Sequence, residues 1–133
     1  MAGHADLAAE LLARAVEDEA AVRALLDVVS VSDEIVGFHA QQAVEKSLKA
    51  VLASGEVDFP FSHDLARLME ICDDAGVALP AALADADRLT PYAVRLRYGS
   101  AVVGSVPRAE AAAIAAEAVA WARGALGGST LER

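Results

Sequence analysis

The chain has a single cysteine among its 133 residues. Cys72 has no partner for an intrachain disulfide and sits in the apolar run "LMEIC", which marks it as a buried small hydrophobe in a reducing compartment. A chain of this length buries roughly two-thirds of its unfolded surface, so no disulfide or metal is required for folding. Basic side chains are also scarce, 11 against 20 acidic ones, for a net charge of -9. Such a surface repels a phosphate backbone on average, which excludes indiscriminate binding to nucleic acid or anionic membranes but allows a small local basic site. No uncharged run is long enough to span a bilayer. Asp6 and Glu10 interrupt any apolar run at the start, so no secretory signal is expected and the expected location is cytoplasmic.

Several catalytic patterns are missing. There is no cysteine pair and no His-x-x-x-His for zinc. "GSAVVGS" has part of a P-loop spacing, but no lysine follows Gly104. No Gly-x-Ser-x-Gly elbow exists. Glu17, Asp18 and Glu19 are consecutive and point apart on a helix, which reads as a solvated acidic face. Neither a metal nor a cofactor is expected.

What is present is alanine and helical periodicity. The chain is 56% hydrophobic and only 5% aromatic, and much of the apolar content is alanine, which favours closely packed helices. A first helix is predicted from about residue 5 to 29, with Leu7, Leu11, Val22, Leu26 and Val29 at threes and fours. Ser32, Asp33 and Glu34 suit the start of a second helix, which runs to Ser54 and ends at Gly55 as a left-handed cap. Pro60 holds the connector "GEVDFPFS" extended. Ser62 or Asp64 caps a third helix that Gly76 ends. A fourth is predicted from near Pro80, carrying Leu83, Ala86 and Leu89, with a kink or restart at Pro91. "GSAVVGSV" reads as a loop. A last helix spans about Pro107 to Leu126, with Trp121 as a packing anchor, and residues 127–133 read as a frayed, disordered tail. The expectation is one all-α domain over residues 1–133, with its core at about 5–126. Its form is an antiparallel up-and-down four-helix bundle with a short additional helix.

The segment "FHAQQAVEKSLKAVL" carries the polar residues that call for explanation. At about 100° per residue, Ala40, Val44, Ser47, Leu48 and Val51 share the core-facing arc. His39, Gln42, Lys46 and Lys49 fall opposite, with Gln41 and Glu45 at the border. Glu45 and Lys49 are four apart and pair. On the residues alone the stripe can be solvated surface, a partner interface or a chemical site.

This segment, "FSHDL" and "YAVRLRYG", in that order, resemble the signature blocks of the HEPN family, small helical domains named from higher eukaryotes and prokaryotes and from nucleotide binding. The family shows a run like F-x-A-Q-Q-A-x-E-K-x-L-K on its second helix. Thr- or Ser-His-Asp-Leu opens its third, and a tyrosine followed five residues later by Arg-Tyr-Pro closes its fourth. Here the blocks fall on Phe38 through Lys49, Ser62 through Leu65, and Tyr92 through Tyr98, with Gly99 in place of the proline. The resemblance implies a four-helix bundle, a homodimer and, for prokaryotic members, a minimal nucleotidyltransferase partner in systems like toxin–antitoxin modules. Many members are ribonucleases with an arginine about four to six residues before a histidine. No arginine stands at that distance before His4, His39 or His63.

Lys46, Lys49, Arg97 and Tyr98 are therefore the candidate contacts for a nucleotide or RNA phosphate, since an arginine fork suits phosphate. Arg97, His39 and His63 are the candidates for catalysis, because histidine titrates near neutral pH. Each has a plainer reading. Arg97 can brace the bundle by pairing with Glu45, His63 can pack at a helix start, and His39 can be exposed. Gln42, Glu45 and Tyr92 are read as structural or interface residues. A metal-independent ribonuclease and a non-catalytic adaptor remain the alternatives.

Overall fold

The computed structural model describes residues 3–94 and 106–131. Within them the chain is helical, with no strand. The helices are α1 (His4–Leu25), α2 (Asp33–Ser54), α3 (Leu65–Asp74) and α4 (Arg108–Leu131). The expected run "SAVVGSV", Arg97, Tyr98 and the helix restart beyond residue 94 lie outside the described residues.

Local chemistry accounts for the helix ends. Ser32 caps α2 by accepting from the backbone N–H of Ile35 at 3.3 Å, with Asp33 and Glu34 in the first turn. Of the two candidates for α3, Asp64 is the cap, accepting from the N–H of Arg67. Ser62 supports it by accepting from the Asp64 N–H at 3.0 Å. Both α2 and α3 close with the paired bonds of a left-handed C-terminal cap. In α3 the N–H groups of Val77 and Gly76 reach the carbonyls of Cys72 and Asp73, and Gly76 takes the left-handed conformation at φ 77°. In α2 the matching donors are Val57 and Glu56, so Glu56 is left-handed at φ 58° while Gly55 keeps φ -90°. The expected role of Gly55 thus falls one residue later, because the strained position follows the cap residue.

Two further expectations are corrected. No α-helix starts at Pro80; two 3₁₀ turns, Ala81–Leu83 and Ala86–Leu89, stand there. Leu83, Ala86, Leu89 and Tyr92 are all buried and recur at every third residue, the period of a 3₁₀ turn rather than of an α-helix. At the C-terminus α4 continues to Leu131 through Gly127, where a tail was expected. That glycine does not adopt the left-handed conformation that would stop a helix.

α2 is the central element and packs against α1, α3 and α4. Alanines on all three long helices allow close approach: Ala8, Ala15, Ala40, Ala43, Ala111, Ala115 and Ala118 are buried. Gly37 does the same for Tyr92, since a Cβ there would lie 2.5 Å from the ring. Tyr92 is a core aromatic as expected, and its hydroxyl accepts from the N–H of Val106 at 3.0 Å. Cys72 is buried, and burial pushes its thiol up to about 11.

Helix directions follow from which ends meet. Arg108, at the start of α4, donates to the carbonyls of Leu25, Leu26, Val28 and Val31 and to the carboxylate of Asp33. At the other end, Ala5, Ser54 and Leu126 line one groove. α1 therefore runs against α2 and α4.

Candidate functional site

The polar arc of α2 is only partly solvated: His39, Gln42 and Lys46 are half-buried, and the rest is covered. Gln41 is 0%, Glu45 4% and Lys49 7% exposed. The 100° projection separates the two arcs of the helix, but neighbours pack along both and leave the polar one half-covered. Keeping such groups at the centre of a small domain is costly unless each is hydrogen-bonded.

They are bonded, in two groups. The first centres on Glu45. Lys49 Nζ donates to its Oε2 at 2.9 Å, and Gln41 Nε2 to its Oε1 at 3.0 Å. His63 Nδ1 lies 2.9 Å from Oε1. An ionised carboxylate only accepts, so His63 carries its proton on Nδ1 and turns Nε2 away from Glu45. Gln41 also donates to the backbone oxygen of His63 at 3.1 Å, and Gln42 donates to Gln41 Oε1 at 2.7 Å. Burial pushes the Glu45 carboxyl up; the bonds from Lys49, Gln41 and His63 and the charge of Lys49 outweigh it. The group stands below its ordinary value of 4.5.

The second group centres on Asp18 of α1. His39 Nδ1 lies 2.9 Å from Oδ1 and Lys46 Nζ lies 2.7 Å from Oδ2. The same argument puts the His39 proton on Nδ1. The ring also meets Phe38 edge-on at 5.4 Å. Asp18 is thus an inter-helix partner where an exposed acidic face was expected. Glu19 is buried too and accepts from Arg23 at 2.8 Å, leaving Glu17 as the exposed member of the triplet.

Two carboxylate–histidine–lysine groups therefore lie along the arc, and Gln41 and Gln42 extend the one centred on Glu45. The structure brings Glu45, Lys49 and His63 together, and His39 with Lys46. Each ammonium uses one of its three donors on a described acceptor. Both lysines already face a carboxylate, so the strip is close to neutral rather than a bare cationic patch. Asp18 was missed in the sequence because its partners are remote, 21 and 28 residues away at His39 and Lys46. Tyr92 lies on the core side of α2, against Gly37.

A groove of about 920 Å³ runs between α1 and α4, lined by Leu12, Val16, Arg123 and Leu126, and includes none of the candidate residues. Among the described residues no cluster of histidine, cysteine and carboxylates has the arrangement of a metal site, and no helix is long and apolar enough to cross a membrane. A family model described as HEPN domain matches residues 8–123. No curated protein and no solved structure matches the chain.

Proposed function

Because this chain belongs to the HEPN family, whose model covers residues 8–123, we propose that it binds a nucleotide or an RNA phosphate along the polar arc of α2. Membership supports a nucleotide- or RNA-related module in general. The observation that carries the finer reading is the pair of carboxylate-anchored histidines beside lysines in the central helix. Each histidine has Nδ1 fixed on a carboxylate, and its protonated form offers Nε2–H to a phosphate. Lys46 and Lys49 supply the neighbouring charge. Arg97 and Tyr98, assigned from the motif, complete the set. HEPN domains commonly dimerise, and the reading includes a homodimer acting with a minimal nucleotidyltransferase in a toxin–antitoxin-like system.

The test is thermal stabilisation by adenine mononucleotides and by short single-stranded RNA. Either ligand raises the unfolding midpoint of the wild type, and Arg97→Ala removes the rise. No rise with any nucleotide or RNA sinks the reading.

A second reading, a metal-independent ribonuclease, is favoured by the same histidine geometry, because a carboxylate on Nδ1 orients an imidazole for proton transfer. RNA incubated with the protein in a chelator is then cleaved, and His39→Gln or His63→Gln together with Arg97→Ala identifies which groups take part. Intact RNA leaves binding alone.

A further inference from the structure

We propose that Phe61 is a stacking platform for an unpaired nucleobase, with His63 beside it for the adjoining phosphate. This rests on the nucleotide-binding reading above and assigns base contact to a different element, the connector between α2 and α3.

The chain spends aromatic residues sparingly, with three Phe, two Tyr and one Trp. Yet Phe61 is 101% exposed, so its ring contributes nothing to the core. It stands near a fixed cation. Lys49 Nζ lies 5.8 Å from the centroid of Phe61 and 5.8 Å from that of Phe59. Lys49 is itself fixed by its bond to buried Glu45, and Phe59 packs against the core. Pro60 restricts the backbone between the two rings. A ring close to a cation and with its whole surface in solvent is open to a flat π-system. Two residues on, the side chain of His63 is 59% exposed and turns Nε2 away from the carboxylate that holds it.

The surroundings favour a base over a protein surface. Protein anchors sit in apolar clusters ringed by further contacts. Here Val57 and Phe59 are half-buried, and the exposed neighbours are Pro60 and the polar Asp58, His63 and Asp64. Those carboxylates also oppose a long polyanion, so the contact depends on uncharged stacking and one hydrogen bond from His63. The ligand chemistry is a nucleobase with an adjacent phosphate, from a mononucleotide or from single-stranded RNA.

The experiment compares the wild-type full chain with Phe61→Ala and Phe61→Trp. Each is titrated with AMP, with a uridine decamer containing one 2-aminopurine, and with ribose 5-phosphate. In the wild type, binding quenches 2-aminopurine fluorescence, and affinity falls only slightly between low and moderate salt. Phe61→Ala weakens the base-containing ligand by roughly tenfold, as loss of one stacked base does. Phe61→Trp retains binding, ribose 5-phosphate is unaffected, and the unfolding midpoint does not move because the ring is fully exposed. Whether AMP or the decamer shows the effect identifies the source. Unchanged affinity for base-containing ligands in Phe61→Ala overturns the platform while leaving the nucleotide-binding reading intact. Loss of self-association in that variant, with nucleotide affinity preserved, overturns it in favour of a protein contact. No binding of any ligand by the wild type removes both.

Discussion

Glu45 shows how one side chain links folding to the site. Its carboxyl is buried, but three donors hold it below the ordinary carboxylate value. A carboxyl depressed in the folded state stabilises the protein above the unfolded value of 4.5, and that contribution is lost as pH falls through the folded value. Stability measured by denaturant titration should therefore fall with acid at and below this range. Glu45→Gln should flatten that dependence and lower stability at neutral pH by about 3 kcal/mol, because Lys49 is left as a buried charge without its partner. A slope unchanged by the substitution would mean that Glu45 does not titrate as its neighbours dictate. Glu56 is the converse case, a residue at odds with its backbone. A left-handed conformation costs a non-glycine residue about 1–2 kcal/mol. Glycine relieves this but adds unfolded-state entropy. Glu56→Gly is expected to stabilise by up to about 1 kcal/mol, read as a rise in the thermal midpoint. Ser47 has no such account: its hydroxyl is buried and, among the described residues, has no hydrogen-bond partner.

Among the elements, α2 is held by what its neighbours supply. The junction of α1, α2 and α4 depends on Arg108, whose guanidinium bonds carbonyls at the end of α1 and in the turn that follows it. A planar fork with five donors meets that demand, and a lysine ammonium with three cannot. Arg108→Ala is expected to cost about 2–3 kcal/mol through these charge-assisted bonds, and Arg108→Lys to recover little of it. Equilibrium unfolding measures both. Full recovery by lysine would show that the charge, opposite Asp33, matters more than the geometry. The 3₁₀ turns illustrate a pattern present in the sequence and read with the wrong period. Leu83, Ala86 and Leu89 are three apart, and the three-residue repeat was there to be counted.

Across the whole molecule, the charge balance shapes what the site can do. A net charge of -9 gives no long-range attraction for polyanions, and the site lysines already face Asp18 and Glu45. Recognition in such a molecule depends on short-range geometry: oriented imidazoles, remaining ammonium donors and an exposed ring. The groove between α1 and α4 is lined mainly by apolar residues, with Glu17, Ser54 and Arg123, and holds none of these groups.

By itself the sequence determined the helical class, the start of α2 at Ser32, the Glu45–Lys49 pair and the motif order that identifies the family. These depend on neighbours within a few residues or on residue order, both of which one dimension preserves. Only the tertiary structure decided that the polar arc is partly covered, that Asp18 holds His39 and Lys46, and that Lys49 comes near two phenylalanines. Those facts depend on which surfaces meet when α2 becomes the centre of the bundle. Helical periodicity tells which residues share a face, but not what covers it.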